Sequence, residues 1–327
     1  MDKNCLAGKK ILITGGTGSL GRRLARRILD CEPQKEPQKL LVFSRDEFKQ
    51  SEMARDFPDE NIRFFIGDIR DRERLYQALS GVDYVVHAAA LKQVPILEYC
   101  PDEAIKTNVY GTMNVIDACI AQNVQKCVLI STDKAVNPIN LYGATKLCAE
   151  KLFLAANAYN KTGFSCVRYG NVIGSRGSVI PLFKNMAKNG IRTFPITDLA
   201  MTRFWLTLDE AVDLVLYTLN AQSGYIYVPE IPSMKITSLA KALCPECAFS
   251  VTGIRPGEKL HERLISEDNK FVRRLDREMR SWTDRPEPYT SDKNPFWMTE
   301  KGLRIRLERE ENVQSAHNRN CELGAKI

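Results

Sequence analysis

A glycine-rich turn near the beginning of the chain constrains the fold more than any other feature. The apolar run Lys10–Thr14 is typical of a buried strand, and Leu20–Leu29 has helical spacing. Between them, TGGTGSLG places glycines at positions 15, 18 and 21. Glycines at this spacing allow a tight turn, a close approach of the backbone to a pyrophosphate, and close packing of helix on strand. The turn therefore predicts a dinucleotide site. The residues expected to hold the cofactor there are Thr14, Gly15, Thr17, Gly18, Ser19, Leu20 and Gly21.

Short apolar runs alternate with helical patterns through the first half of the chain. Further strands are predicted at Lys39–Phe43, Arg63–Ile66, Asp83–His87, Cys127–Ser131 and Ser165–Arg168. Helices are predicted at Arg72–Leu79, Ala104–Ala121, Ala144–Tyr159 and Leu208–Leu219. Continuous apolar strands that alternate with helices indicate an α/β protein with a doubly wound parallel sheet, covered by helices on both faces.

The pattern changes near residue 175, where Gly, Pro and short mixed segments become commoner. We interpret residues 1–175, with a returning segment at about 204–225, as the sheet domain. Residues 176–203 and 226–270 are predicted to form a smaller C-terminal substrate-binding domain over the carboxyl edge of the sheet. Residues 271–327 are predicted to be a peripheral extension.

The composition excludes several classes of protein. Of 327 residues, 44% are hydrophobic and 27% charged, which is typical of globular domains. No apolar run approaches the roughly 20 residues of a membrane helix, so we expect a cytoplasmic protein with no membrane partner. The net charge of +7 lies in mixed-sign runs, and no basic and aromatic stripe predicts nucleic-acid binding. Cys244 and Cys247 lack further nearby ligands, so no metal site is predicted.

The end of the second predicted strand should decide which dinucleotide binds. An acid there would hold the ribose hydroxyls of NAD, whereas Ser44 and Arg45 suit a 2′-phosphate. We therefore expect NADP, although Asp46 could turn inward and select NAD. Asp68 follows the third predicted strand and is expected to accept a hydrogen bond from the adenine amino group. The alternative is that Asp68 caps the next helix.

Tyr142 and Lys146 are four residues apart, so they share one face of a helix. The pKa of a free phenol is about 10, and a neighbouring ammonium together with the nicotinamide charge favours the phenolate. Such a tyrosine can take the proton of a substrate hydroxyl while hydride leaves for the cofactor. Lys146 is also expected to hold the nicotinamide ribose. The alternative is an ordinary surface pair.

Six segments of the chain carry a family resemblance: TGGTGSLG, HAAALKQVP, STDKAVNPINLYGATK, RYGNVIGSRGSV, MTRFWLTLDEA and GIRPGEKLHE. Together they resemble extended short-chain dehydrogenases/reductases. More narrowly, they are similar to inverting UDP-N-acetylglucosamine 4,6-dehydratases, which open the pseudaminic acid route in bacteria. The resemblance covers about residues 8–268. It implies a Rossmann domain with bound NADP, a smaller domain that holds a UDP-sugar, and a homo-oligomer, either a dimer or a hexamer.

The resemblance also implies the chemistry of three consecutive residues. Thr132 would polarise the C4 oxygen of the sugar. Dehydratases that retain configuration carry Asp-Glu at the next two positions, where this chain has Asp133 and Lys134. Asp133 would protonate the departing C6 hydroxyl if its pKa is raised. Lys134 would take the C5 proton in its neutral form, and we expect burial and cations such as Lys92 to lower its pKa. The alternative is a surface lysine.

Further residues are implied at the two ligands. Those expected at the cofactor, beyond the glycine turn, are Ile69, Ala88, Ala89, Ala90, Lys92 and Val172. Those expected at the UDP-sugar are Lys92, Asn171, Arg203, Arg255 and Glu258. Arg203 could instead pack on Trp205. His87 is expected to be a core residue, and Asn108 to shape its helix or bind a buried water.

Other functions stay open. A UDP-sugar 4-epimerase needs the same cofactor and Tyr142, but has no use for the Asp133–Lys134 pair. A bifunctional dehydratase/5-epimerase of a capsule pathway is a second possibility, although such relatives often replace the tyrosine that is present here. A non-catalytic NADP-binding scaffold would have no need of these intact residues.

Overall fold

The structure is a computed structural model that describes residues 6–30, 36–175 and 178–324, with side chains described to residue 312. The first half of the chain alternates strands and helices as predicted. The strands are β1 (Lys10–Thr14), β2 (Lys39–Ser44), β3 (Ile62–Ile66), β4 (Tyr84–His87), β5 (Lys126–Ile130) and β6 (Gly163–Val167). The helices are α1 (Ser19–Leu29), α2 (Glu47–Asp56), α3 (Arg72–Ala78), α4 (Val94–Tyr99), α5 (Pro101–Ile105), α6 (Gly111–Ala121) and α7 (Leu141–Ala156).

The second half mixes shorter elements. Its strands are β7 (Asn171–Val172), β8 (Thr193–Ile196), β9 (Thr202–Leu206), β10 (Ile226–Pro229), β11 (Ser233–Lys235), β12 (Ala248–Val251), β13 (Arg263–Ile265), β14 (Val272–Leu275), β15 (Trp282–Asp284) and β16 (Tyr289–Thr290). Its helices are α8 (Val179–Lys188), α9 (Leu208–Asn220), α10 (Ile236–Leu243) and α11 (Glu300–Gly324).

One nine-stranded sheet organises the molecule, in the order β15-β14-β10-β6-β5-β4-β1-β2-β3. Its neighbouring strands are parallel except for the antiparallel pair β14 and β15. Thr14 is in register with both Phe43 and His87, so β1, β2 and β4 end at the same edge. The predicted doubly wound α/β fold is confirmed. Its carboxyl edge is where ligands bind in such sheets.

Two helices differ from the predictions because side-chain caps set where they begin. Helix α2 was not predicted, and it begins where the Asp46 side chain accepts a hydrogen bond from the Lys49 N–H. Helix α7 begins earlier than predicted because the Asn140 side chain caps it by accepting from the Gly143 N–H at 2.7 Å. Tyr142 therefore lies in the first turn of α7, close to the edge of the sheet.

The helix predicted over residues 104–121 contains a change of hydrogen-bond pattern. A five-residue π-helical turn, Lys106–Tyr110, separates α5 from α6. Within this turn, the Asn108 side chain accepts from the Leu91 N–H at 2.8 Å and donates to the Leu91 carbonyl at 2.9 Å. It also donates to Thr145 Oγ1 on α7 at 3.1 Å. The turn thus connects the loop after β4 to the helix that carries Tyr142.

A second hydrophobic core lies beside the sheet and includes Trp205, Phe183 and Phe194. The residues that form the main sheet and the second core differ from the predicted domain boundaries. Residues 226–229 form β10 inside the main sheet, although they were assigned to the smaller domain. The described part of residues 271–327 is also not peripheral, because β14 and β15 extend the main sheet and the buried side chains of Leu303 and Leu307 on α11 enter the second core. Through the described chain, no helix is both long and apolar enough to span a membrane.

Candidate active site

A cavity of about 750 Å³ opens at the carboxyl edge of the sheet. It brings together most of the residues that the sequence predicts at the site. Those that line it are Gly15, Thr17, Gly18, Ser19, Leu20, Gly21, Ser44, Arg45, Asp68, Ile69, Ala88, Ala89, Ala90, Lys92, Thr132, Lys134, Tyr142, Lys146, Asn171 and Val172. Those that do not line it are Thr14, Asp133, Arg203, Arg255 and Glu258.

The glycine turn has room only for glycine at two positions. Gly15 has φ +65°, and a Cβ there would lie 2.8 Å from the backbone of Ala89. A Cβ on Gly21 would lie 2.4 Å from the carbonyl oxygen of Gly16. Gly18 is the N-cap of α1 and, within the described chain, no side chain caps this terminus. The free N–H groups at the positive end of α1 therefore face the cavity and fit a diphosphate.

Thr14 supports the turn from behind and does not line the cavity. Its hydroxyl lies 2.7 Å from Nδ1 of His87 and accepts a hydrogen bond from the Ala89 N–H at 3.2 Å. His87 Nε2 lies 3.1 Å from the hydroxyl of Thr112. Burial, together with the charge of Lys146, lowers the pKa of His87 to about 3, so this core histidine is neutral. Thr14 thus holds the backbone of β1 and β4 together.

The cavity end nearest α2 contains more cations than the sequence suggested. Ser44 Oγ lies 3.0 Å from the hydroxyl of Thr17, and the exposed side chain of Arg45 borders the same space. Asp46 caps α2, and Lys49 Nζ lies 2.6 Å from its carboxylate. Lys49 also lines the cavity, although it was not predicted as a site residue. The carboxylate of Asp46, the residue considered for NAD selection, thus pairs with Lys49 and caps α2.

Asp68 lies opposite Arg45, at 3.9 Å between charged atoms. It accepts hydrogen bonds from Nη2 of Arg70 at 2.7 Å and from the Arg70 N–H at 2.9 Å. The alternative that Asp68 caps the next helix is wrong, because Asp71 caps α3 by accepting from the Arg74 N–H. Asp68 is thus held by Arg70 at the cavity wall.

The loop after β5 places three functional groups within hydrogen-bonding distance of one another. Thr132 Oγ1 donates to Oδ1 of Asp133 at 2.9 Å, and Lys134 Nζ donates to the same oxygen at 3.0 Å. Asp133 is fully buried, and its Oδ2 has no hydrogen-bond partner among the described residues. Burial raises the pKa of Asp133, and Glu262 adds to the effect while Lys134 opposes it. A carboxyl in this setting is a plausible proton donor.

The expectation for Lys134 is wrong in one respect. Burial lowers its pKa, but the neighbouring carboxylates of Asp133 and Glu262 more than offset this and raise the pKa above the usual range. Lys134 Nζ lies 3.4 Å from Oε1 of Glu262. Glu262 comes from the segment before β13 and was not predicted to be at the site. Lys134 is therefore an ammonium in this arrangement.

Tyr142 and Lys146 both line the cavity from α7. Burial raises the pKa of Tyr142 to about 12, against the lowering effect of the Lys134 charge and of a hydrogen bond with Thr132. Burial lowers the pKa of Lys146 to about 8, with Glu150 opposing the effect. The charge of Lys134 lowers the pKa of Tyr142, and the expected contribution of Lys146 beside the phenol stays a prediction.

The remaining predicted substrate residues lie outside the cavity lining. Arg203 is buried, and its guanidinium donates to the carbonyls of Thr202 at 2.7 Å and Lys259 at 2.9 Å. Arg203 thus contacts backbone carbonyls and does not line the cavity, and its assignment to substrate binding stays a prediction. Arg255 is exposed on the loop after β12, and Glu258 lies 3.7 Å from Arg203. For both of these residues, substrate binding stays a prediction.

Thr107 is a further residue that the sequence did not reveal. It belongs to the π-helical turn and lines the cavity. Its buried hydroxyl has no hydrogen-bond partner within the described chain. Thr107 could have been identified only from the π-helical turn, and no local sequence pattern predicted that turn. Among the described residues, no group of three or more His, Cys, Asp or Glu side chains could hold a metal ion.

The fold and this constellation define a class, the extended short-chain dehydrogenases/reductases that act on nucleotide sugars. A family model described as "Polysaccharide biosynthesis protein" matches residues 11–281. A curated relative from Campylobacter jejuni, "UDP-N-acetylglucosamine 4,6-dehydratase (inverting)", is 48% identical over 90% of this chain and 96% of its own length. The chain therefore belongs to the polysaccharide biosynthesis family that contains the inverting UDP-N-acetylglucosamine 4,6-dehydratases.

Two other comparisons refine this placement. "UDP-glucose 4-epimerase" of Rickettsia canadensis is 44% identical over 80% of this chain and 79% of its own length. The X-ray structure of Pen from Bacillus thuringiensis is 36% identical and superposes with a TM-score of 0.84, covering 94% of this chain and 99% of that one. The family thus includes proteins named for dehydration and for epimerisation, and the residues at the site must separate them.

Proposed function

We propose that this chain is an inverting UDP-N-acetylglucosamine 4,6-dehydratase, a hydro-lyase that carries out the first step of pseudaminic acid synthesis. The observation that carries the proposal is the Asp133–Lys134 pair, in which Nζ of Lys134 lies 3.0 Å from the Asp133 carboxylate, while Lys134 and Tyr142 both line the cavity. A 4-epimerase has no use for an acid and a base at C5 and C6. The name of the Campylobacter relative agrees with this assignment.

The chain is built to bind a nicotinamide dinucleotide, and we propose that NADP is the one it uses. The glycine turn and the free N-terminus of α1 fit the diphosphate. Ser44, Arg45 and Lys49 offer a hydroxyl and two cations for the 2′-phosphate. When bound, the cofactor would supply reversible hydride transfer, which the oxidation at C4 and the reduction at C6 of the sugar both require. Lys146 would hold the nicotinamide ribose.

Tyr142 is the proposed base for the C4 hydroxyl. Burial raises the pKa of this phenol, whereas the nearby charge of Lys134 and the hydroxyl of Thr132 lower it, so these two groups act in favour of the phenolate. Thr132 would donate to the C4 oxygen in the same step. Oxidation at C4 makes the C5 proton acidic, because the resulting carbanion is conjugated with the ketone.

The Asp133–Lys134 pair then acts as acid and base. One proton shift from Nζ of Lys134 to Oδ1 of Asp133, across 3.0 Å, turns an ion pair into a neutral amine and a carboxylic acid. Lys134 takes the C5 proton, Asp133 gives its proton to the C6 hydroxyl, and water leaves. The charges of the original ion pair are restored. A solvent proton then reaches C5 from the opposite face and inverts the centre, and the proton that Tyr142 took from the C4 hydroxyl returns to solvent.

Proton NMR of the product formed from UDP-N-acetylglucosamine in D2O tests the proposal. We expect a C6 methyl signal, deuterium at C5 and the L-arabino configuration. A D-xylo product as the first species would contradict inversion and leave only a general dehydratase. A retained CH2OH group would instead show a 4-epimerase, the function suggested by the name of the rickettsial relative.

Two further properties stay predictions of this proposal. We propose a UDP-sugar as substrate, held by Lys92 and Asn171 at the cavity wall and by Arg255 and Glu258 on the loop after β12. We also propose a cytoplasmic homo-oligomer, either a dimer or a hexamer. Exposed apolar side chains on the helical segment that includes the π turn, such as Tyr110 and Met113, give such contacts a surface.

A further inference from the structure

Glu262 is a buried carboxylate that the mechanism above does not yet use. It is 2% exposed and lies just before β13. Its Oε1 lies 3.4 Å from Nζ of Lys134 and 3.9 Å from Nε of Arg203, and its Oε2 lies 3.9 Å from Nζ of Lys259. Oε2 has no hydrogen-bond partner among the described residues. Burying a carboxylate with so few hydrogen bonds is costly, which calls for a functional reason.

The other cations near Glu262 are already engaged. Arg203 donates to the carbonyls of Thr202, Lys259 and Leu260, and Lys259 donates to the Val136 carbonyl at 2.6 Å. Glu258 also faces Arg203, at 3.7 Å. Of the three cations around Glu262, Lys134 therefore has the closest contact with its carboxylate. Lys134 itself lies between two carboxylates, with Asp133 on its own loop and Glu262 on a distant segment.

We propose that Glu262 is a positioning residue for the dehydration, which holds the amine of Lys134 toward the sugar and controls when that amine gives up its proton. The proposal rests on the role of Lys134 as the C5 base. A neutral amine has two N–H bonds and one lone pair in a tetrahedral arrangement. With its N–H bonds directed to Asp133 and Glu262, its lone pair is left for the C5 proton.

The same contact adjusts the proton affinity of Lys134. The groups that face its amine are Asp133 from its own loop, Tyr142 from α7, Arg203 from β9, and Lys259 and Glu262 from the segment before β13. The two carboxylates raise the pKa of Lys134, and Arg203 lowers it. Loss of the Glu262 charge leaves Arg203 and Lys259 uncompensated. The amine should then lose its proton at a lower pH.

Glu262→Gln tests the proposal, because it removes the charge and keeps the shape. The matched control is Glu267→Gln, which removes an exposed carboxylate that pairs with Arg263 nearby. We expect the midpoint of the rise in dehydration rate with pH to move down by about 1–3 units in Glu262→Gln and not in the control. We expect the maximal dehydration rate to fall by roughly 10–100-fold, because the amine is misplaced. Below the shifted midpoint, where Lys134 keeps its charge, oxidation at C4, followed by cofactor absorbance, should stay within about threefold of wild type.

Two results for Glu262→Gln would contradict this proposal. An unchanged pH midpoint would overturn it. Equal loss of C4 oxidation and dehydration, with a lower melting temperature, would assign Glu262 to folding alone.

If Glu262→Gln does not fold, Glu262→Asp replaces it. That variant keeps the charge on a shorter arm, so it should keep the pH midpoint and lose rate. Full dehydration by Lys134→Ala would overturn the base assignment itself, and is measured separately.

Discussion

The cofactor side and the catalytic side of the cavity are held together by different forces. The cofactor side is one contiguous turn, TGGTGSLG, whose geometry depends on backbone sterics at Gly15 and Gly21. The catalytic side is a cluster of buried charges from several distant segments, with Asp133, Lys134 and Glu262 in contact. Backbone sterics act locally and do not depend on pH. The electrostatic balance of the charge cluster, in contrast, changes when any of its members is replaced or changes protonation state. We therefore expect substitutions to separate binding from chemistry.

The largest effect is expected from Lys134→Ala. Removal of a general base typically costs about 10²–10⁴ in rate, so dehydration should fall by that factor. Binding of NADP should be preserved, because the glycine turn does not depend on Lys134. Product NMR and a fluorescence titration with NADP measure the two properties. A comparable loss of NADP binding would show that the two sides of the cavity are not independent.

An intermediate effect is expected from Arg45→Ala on the cofactor side. Loss of one charge-assisted contact with a 2′-phosphate costs about 1.5–3 kcal/mol, which is roughly tenfold or more in the Kd of NADP. Binding of NAD should change little, since NAD has no 2′-phosphate. Arg280→Ala serves as a control, because its exposed guanidinium pairs with Glu278 and does not line the cavity. Equal weakening of both cofactors by Arg45→Ala would contradict the NADP assignment.

A separate effect is expected in the pH dependence of stability. Burial lowers the pKa of Lys146 to about 8 from 10.5, so the unfolded chain holds the proton more tightly than the folded one. The penalty is therefore complete below pH 8 and is relieved as the pH rises from about 8 to 10.5. Lys146→Met removes this titration. The stability of wild type relative to Lys146→Met should rise across that window, as measured by chemical denaturation in the absence of ligands. A flat difference would show that Lys146 is not desolvated.

The sheet could be predicted from the sequence because its central strands are continuous apolar runs. Strand β14 was missed because Arg273 and Arg274 interrupt its pattern. Both arginines are satisfied by tertiary partners, Asp284 at 2.7 Å and the Glu230 carboxylate. Helix α2 was missed because its sequence has little apolar periodicity, and its start depends on one capping carboxylate.

The site was predictable in its members and not in its protonation. Tyr142, Lys146 and the Asp133–Lys134 pair are visible as motifs, and all but Asp133 line the cavity. The charge state of Lys134 was predicted wrongly because Glu262 comes from a distant part of the chain. A pKa depends on every charge that folding brings near, and spacing along the sequence does not supply that information.

The π-helical turn at Lys106–Tyr110 has a consequence for how the chain tolerates length changes. Such a turn corresponds to one extra residue in an α-helix, and each residue of an α-helix advances by about 100°. Deleting one residue here would restore ordinary helical hydrogen bonding and rotate everything before it by that angle relative to α6. Asn108 would then lose both of its bonds to Leu91. The π turn therefore sets the rotation of α5 relative to α6. The hydrogen bonds between this helical segment and the loop that bears Lys92 depend on that rotation.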